Sequence, residues 1–297
     1  MSTDAVSLAK PAALSPLIIA CMAATWLIWG STYLAIRFAL EGFAPFHMMA
    51  TRFLVAGGAL LLWQRLRGQR MPTRREWLHA SIIGTLMLGG GMGGSAYAEQ
   101  TIASGLVVAC IAVTPLLLVL INLGFGVSPK RGELPAVIVG VTGVIMLTRG
   151  AGIHASPAGL LAVTIGTLGW SLGSVLSQRK FPLAPGATGF ASEMLCGGLA
   201  LSLVSLLAGE PWQWPAQPGP WLAWGYLVIA GSLIAFSAYM LLLARTSTSL
   251  ASSYTLVNPL VGLMLGVWLG HEIVTPWEWA SVGVVMCGVA ILFAGRR

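Results

Sequence analysis

Charge is what this sequence has least of. Asp, Glu, Lys and Arg make up 8% of its 297 residues, against about 25% in soluble domains. A chain with 57% hydrophobic residues and a mean hydropathy of +0.84 cannot cover a globular surface with so few charges. The four cysteines, Cys21, Cys110, Cys196 and Cys287, form no CxxC pair and have no histidine at metal-ligand spacing. They read as small apolar fillers. No Walker loop is present, so ATP does not drive this chain directly. His271-Glu272 lacks the second histidine of a zinc protease helix. The 37 glycines follow no Gly-X-Y period, which excludes collagen. The apolar content excludes disorder. No basic soluble domain exists to hold a duplex, so the net charge of +7 does not indicate nucleic acid. Neither a metal nor an organic cofactor is implied.

What is there is a series of apolar runs. Ten segments, roughly 15–36, 46–64, 79–98, 102–124, 134–148, 158–177, 188–208, 221–243, 249–269 and 277–294, are apolar all round, as spanning helices are. The expected fold is an all-α polytopic membrane protein whose partners are the lipid bilayer and a small-molecule substrate. The run from Leu14 to Ile36 is too long for a signal-peptide core, and no Ala-x-Ala cleavage site follows it. With the N-terminus inside, Lys10, Arg65, Arg67, Arg70, Arg74, Arg75, Lys130, Arg131, Arg179, Lys180, Arg245, Arg296 and Arg297 fall on the inner side. Arg37 and Arg149 fall on the outer side, and Arg52 lies within a span. Thirteen against two is a strong positive-inside bias with both termini inside. The Trp212, Trp214 and Trp221 cluster reads as an outer interfacial loop.

The chain also repeats itself. Trp29 aligns with Trp170, Pro45 with Pro185, and Arg52-Phe53-Leu54 with Glu193-Met194-Leu195. Ser95-Ala96-Tyr97 aligns with Ser237-Ala238-Tyr239, Pro115 with Pro259, and Gly143-Val144 with Gly288-Val289, at offsets drifting only from 140 to 145. Five spans per half is an odd number, so the second copy inserts upside down. The expected units are residues 1–150 and 151–297, an inverted-topology repeat with a site near the midplane between them.

Several residues stand out within the spans. Arg52 costs about 2.5–3.5 kcal/mol to insert at a helix centre, and Glu193 occupies the equivalent place in the second half. Three readings stay open: the two pair with each other, they bind the two ends of a zwitterion, or each is satisfied locally. Trp26, Trp29, Gly30 and Tyr33 share one helical face and read as packing or as a cavity wall, with Trp170 facing them. Tyr97 and Tyr239 form a second symmetric aromatic pair. Gly89 to Gly94 holds five glycines in six residues, each weakening a helix by about 1 kcal/mol relative to alanine. Close packing and a hinge at Gly90 are both open. Thr114-Pro115 and Asn258-Pro259 each free a carbonyl and kink their helix. Ser252, Ser253, Thr255 and Asn258 make the ninth span unusually polar. Glu99, Gln100, His271 and Glu272 lie at outer helix ends, where capping and proton coupling are the two readings. His47, His79 and His154 fall near interfaces and say little. An intramembrane enzyme and a receptor remain as other classes.

Leu27-Ile28-Trp29-Gly30-Ser31-Thr32-Tyr33, Ala50-Thr51-Arg52-Phe53, Asn258-Pro259-Leu260, Leu269-Gly270-His271-Glu272 and Gly288-Val289-Ala290-Ile291-Leu292 resemble the EamA-type members of the drug/metabolite transporter superfamily. Among them the chain is most similar to bacterial exporters of aromatic and other amino acids. The resemblance covers nearly the whole chain. It implies ten helices in two inverted halves and a central cavity lined by helices one to four and six to nine. It also implies export by alternating access. His271, inserted in the usual Gly-Glu pattern, departs from the family, so no role passes to Glu272. The expectation is an inner-membrane exporter of aromatic and hydrophobic amino acids, needing no more than a monomer. Trp26, Trp29, Tyr33, Tyr97, Trp170 and Tyr239 hold the side chain, Ser253 and Asn258 hold the zwitterion, and Gly90, Pro115 and Pro259 serve as hinges. Export of drugs, purines or other metabolites is the alternative.

Overall fold

The computed structural model describes residues 15–129, 131–149, 156–246, 250 and 253–294. Lys10, Lys130, His154, Ser252, Arg296 and Arg297 lie outside the described residues, as does the side chain of Arg149. Among the described residues every regular element is helical: α1 (Pro16–Ala39), α2 (Pro45–Leu66), α3 (Arg74–Gly84), π1 (Thr85–Met92), α4 (Gly93–Ala98), α5 (Ser104–Ile111), α6 (Thr114–Gly124), α7 (Glu133–Arg149), α8 (Pro157–Arg179), α9 (Ala187–Leu207), α10 (Pro218–Tyr226), π2 (Leu227–Ile234), α11 (Ala235–Arg245), α12 (Tyr254–Trp268) and α13 (Pro276–Ala294).

Six helical stretches are long and apolar enough to cross a membrane: Pro16–Ala39, Pro45–Leu66, Ser104–Gly124, Pro157–Arg179, Ala187–Leu207 and Pro218–Leu242. Shorter apolar helices cover Glu133–Met146, Tyr254–Trp268 and Pro276–Leu292. Arg74–Ala98 is one further rod with a π-helical middle.

Local chemistry sets the boundaries. Prolines open α1, α2, α8 and α10, where the missing N–H costs nothing. Ser15 and Ser156 accept from Ile18 N and Gly159 N. A capping box of Thr73 and Glu76 starts α3 five residues before the apolar run, which is why hydropathy alone places this start too late. The fourth expected span is broken at Ala112–Val113, where Pro115 begins a new helix, α6. Pro259 sits inside α12.

The helices pair in a pattern that survives exchanging the two halves of the chain. α2 packs against α9, and α7 against α13. α1 lies on α12 and on the rod α10–π2–α11, while α8 lies on α5–α6 and on the rod α3–π1–α4. The two π segments are both eight residues long and begin at Thr85 and Leu227, an offset like that of the sequence repeat. Close approach explains much of the glycine. A Cβ on Gly94 would lie 2.6 Å from the Ala162 carbonyl, and one on Gly166 would lie 3.0 Å from the carbonyls of Gly90 and Gly91. One buried cluster, with Phe53, Leu88, Met194, Leu201 and Leu227, joins the halves.

Candidate functional site

Three adjoining cavities run through the middle of the bundle, and Trp170 and Tyr254 line all three. The first, about 90 Å³, is bounded by Tyr33, Ser95, Ile111, Thr167, Asn258 and Pro259 among others. The second, about 80 Å³, adds Trp29, Arg52, Phe53 and Phe236. The third, about 190 Å³, contains Glu193, Tyr239 and Phe190 and extends to Ser177, Gln178 and Leu183 at the end of α8.

The walls are aromatic and mutually packed. Trp29 meets Tyr254 at a centroid distance of 4.8 Å, Phe236 at 5.1 Å and Tyr239 at 5.3 Å. Tyr239 and Tyr254 are 5.6 Å apart and nearly perpendicular, a favourable edge-to-face geometry. The Trp29 Nε1–H donates to the Gly231 carbonyl at 3.1 Å. Gly231 lies within π2, and a π segment presents carbonyls away from the regular α pattern. Trp170 lies against Gly91 of π1, where a Cβ would come within 3.0 Å of its ring. Each half therefore sets one tryptophan of its first long helix on the π segment of the other half.

Arg52 and Glu193 do not pair. The Arg52 Nε–H donates to Ser232 Oγ at 2.9 Å, Nη1 approaches Met49 Sδ at 3.7 Å, and the guanidinium lies 5.0 Å from the Phe53 ring centroid. Glu193 is buried in the third cavity and makes no hydrogen bond or ion pair among the described residues. Trp29, Trp170, Phe236 and Tyr254 all line both the Arg52 cavity and the Glu193 cavity.

Trp29, Tyr33, Trp170, Tyr239, Asn258 and Pro259 thus line these cavities. The Asn258 amide, oriented to match its neighbours, donates to the carbonyls of Tyr254 and Trp26, both at 3.1 Å. Trp26, Ser253 and Tyr97 lie elsewhere. The Trp26 Nε1–H donates to Ser253 Oγ at 3.0 Å, and that hydroxyl donates onward to the Leu250 carbonyl. Trp26 is at the edge of the α1 face and turns towards the cluster of Cys21, Met22 and Leu242. Tyr97 stacks on Phe46 at 5.8 Å and is 37% exposed. Ser95 faces the cavity, and a residue two further on points to the other side of a helix, about 200° round. Tyr254, Phe236 and Phe190 were missed from the sequence. Tyr254 was within reach, because it stands four residues before Asn258 on the same face.

Beyond Tyr33 lies an apolar plug containing Ala98, Ile102, Leu106, Cys110, Leu263 and Val282. On its far side opens a vestibule of about 740 Å³, lined by Arg37, Glu41, Glu99, Gln100, His271, Glu272 and Glu278 with several apolar residues. Glu272 ties three elements together at this end. Its Oε1 accepts from Arg37 Nη1 at 2.8 Å, Ser104 N at 2.8 Å and Ser104 Oγ at 2.7 Å, and its Oε2 accepts from Gly105 N at 3.0 Å. The carboxylate therefore caps α5 and takes the cation at the end of α1. Capping, one of the two readings for the outer carboxylates, describes Glu272. At the opposite end Arg179 donates twice to Asn122 Oδ1, at 3.1 and 2.7 Å.

A polytopic helical bundle with an aromatic cavity at its centre and a vestibule at one end has the form of a membrane transporter. The EamA-like transporter family matches residues 16–149 and again residues 157–294, and the chain belongs to that family. It is 38% identical over 274 residues to the inner membrane transporter YedA of Escherichia coli, covering 92% of this chain and 89% of that one. It is 26% identical to the protein PecM of Dickeya dadantii over 80% of each chain. It is 24% identical to the transporter YdfC of Bacillus subtilis over 82% of this chain and 80% of that one. A crystal structure of a protein 22% identical superposes with a TM-score of 0.66, covering 94% of this chain and 98% of the other, a likeness of fold. The chain is a multi-pass protein of the inner membrane.

Proposed function

We propose that this transporter exports aromatic and other neutral amino acids by alternating access. Its ten spans form two inverted five-helix units, residues 1–150 and 151–297, with both termini on the inner side. The positive-inside count and the exchange-invariant helix pairing support that arrangement. One observation carries the substrate: an unpaired cation, Arg52, and a carboxyl group without donors, Glu193, face adjoining cavities that share four aromatic walls. A buried cation left unpaired is costly, and a zwitterion with an apolar side chain neutralises Arg52 and brings Glu193 the N–H donors that let it ionise. Arg52 takes the carboxylate, Glu193 the ammonium, and the Trp29, Trp170, Phe236 and Tyr254 rings the side chain. The ring faces around Glu193 also favour a cation.

The test is uptake of labelled phenylalanine, methionine and threonine into proteoliposomes. Saturable uptake with mutual competition is expected. Arg52→Met lowers kcat/KM for phenylalanine by about 10- to 100-fold, the equivalent of one hydrogen bond to a charged group at about 1.5–3 kcal/mol. Phenethylamine, which lacks the carboxylate, competes equally weakly with wild type and with Arg52→Met. No uptake by folded protein overturns the amino-acid reading in favour of other small molecules such as drugs or purines.

A further inference from the structure

The central cavity leaves one buried acid unused. Glu99 ends α4 and lines the vestibule, yet it is only 5% exposed and neither carboxylate oxygen has a hydrogen-bond partner. Its situation differs from that of every other acid there. Glu272 accepts four hydrogen bonds. Glu278 caps α13 through Thr275 N and Oγ1. Glu41 is exposed at the rim. Buried carboxylates without donors do not hold their charge, and burial together with the neighbouring Glu272 carboxylate pushes Glu99 well above the usual carboxylate range, with Arg37 opposing. A proton on this carboxyl removes the cost of burying it without donors.

The groups around it make that proton consequential. Arg37 faces it from the end of α1, Tyr33 from one helical turn deeper, His271 and Glu272 from the loop between α12 and α13, and Glu278 from the first turn of α13. Arg37 is bound to Glu272, and its side chain is 40% exposed, so it is free to swing. The Glu99 N–H donates to the Ser95 carbonyl, and Ser95 lines the first central cavity. Glu99 therefore sits one helical turn from the cavity while facing the vestibule.

We propose that Glu99 is a proton-binding site that couples export to a proton gradient, loading from the vestibule and unloading on the cavity side when access changes. When the carboxyl loses its proton, its anion competes with Glu272 for Arg37. The Glu272 cap on Ser104 and Gly105 loosens, and the plug opens to the vestibule. When a proton returns from the outer water, Arg37 goes back to Glu272 and the gate closes. One proton enters per cycle as the O–H of one carboxylic acid, and the same proton leaves it. The scheme rests on the proposed topology, in which both termini are inside and α1, the rod ending at Ala98 and α12 all run outward, so that the vestibule at their ends faces out; it does not depend on which solute is carried.

Two measurements test it, the second free of any substrate. In proteoliposomes an acid interior should accelerate phenylalanine uptake several-fold in wild type. Glu99→Gln, a mimic of the protonated acid, should keep the gate closed, so that its phenylalanine uptake and its exchange of labelled for unlabelled substrate are both slow and neither changes with the gradient. A wild type that transports without responding to pH, a Glu99→Gln protein that responds as wild type does, or drive by a sodium gradient at fixed pH overturns the proposal. Dicyclohexylcarbodiimide, which modifies protonated buried carboxyls, should label the Glu99 peptide at pH 7, as read by peptide mass spectrometry. Labelling should fall only as the pH rises further, and no modification of that peptide should occur in Glu99→Gln. Absence of labelling already at pH 6 overturns the proposal. Labelling at pH 7 without uptake of any amino acid leaves the proton site standing and removes the substrate reading.

Discussion

Replacing Glu272 by Gln should open the vestibule end of the molecule. The wild-type carboxylate serves three N–H donors and one hydroxyl with two oxygens, and its side chain is 1% exposed. Glutamine keeps one oxygen. With that oxygen towards Ser104, its NH2 faces the Gly105 N–H donor to donor, and that N–H is left buried without an acceptor. Such an orphaned group costs about 1–3 kcal/mol. The Arg37 bridge adds less, up to about 1 kcal/mol, because Arg37 is partly exposed and screened. The closed arrangement should therefore lose about 1–4 kcal/mol, a shift of about 5- to 1,000-fold in the closed-to-open ratio. Cys110 reports it directly, since it is buried in the plug between vestibule and cavity. In a background with Cys21, Cys196 and Cys287 changed to Ser, a membrane-impermeant maleimide should label Cys110 faster in Glu272→Gln by a factor in that range. Equal labelling rates and an equal melting temperature would refute the reasoning, for then Glu272 neither caps α5 nor holds the gate. Gly266→Ala should mimic the effect, because its Cβ would collide with the Glu272 carboxylate.

Other expectations follow from the same geometry. Tyr97→Ala should leave KM unchanged, whereas Tyr254→Ala should raise KM for an aromatic substrate about 3- to 10-fold, the worth of one aromatic contact at about 0.5–1.5 kcal/mol; the reverse order in competition assays would place the cavity elsewhere. Gly90→Ala should be tolerated or slightly stabilising, since the nearest atom to its Cβ is 3.7 Å away, while Gly94→Ala should cost about 1–3 kcal/mol by crowding the Ala162 carbonyl; melting temperatures in detergent separate the two. Glu76 is held down at about 2, first by its hydrogen bond to Arg70 and then by Thr73. Its support for the start of α3 is therefore complete above about pH 4.5 and lost as the pH falls towards 2. Amide protection factors at residues 74–77, with the intrinsic pH dependence of exchange divided out, should fall over that window and stay flat from pH 5 to 8.

The sequence by itself determined the helical class and the placement of its apolar segments. Hydrophobic runs are properties of the local chain, and the bilayer demands them wherever a helix crosses. The sequence also marked Arg52, Glu193, Trp29 and Trp170, because a charge inside an apolar run and an aromatic at a repeated position are visible without coordinates. Tertiary structure decided which of the marked side chains meet. Tyr97 and Tyr239 align in the repeat, yet only Tyr239 lines the cavity, because the rotation of a helix is set by what packs against it. Trp26 and Ser253 found each other across 227 residues instead of lining the central cavities. The two π segments have no signature in composition. They arise where Gly166 and Trp170 of α8, or Trp29 and Thr32 of α1, press against a glycine-containing stretch of the opposite half. Glu272 looked like an ordinary acid at a helix end. It became the cap of α5 because the fold brings it to Ser104, 168 residues away, where a buried helix N-terminus required an acceptor that no local residue supplies.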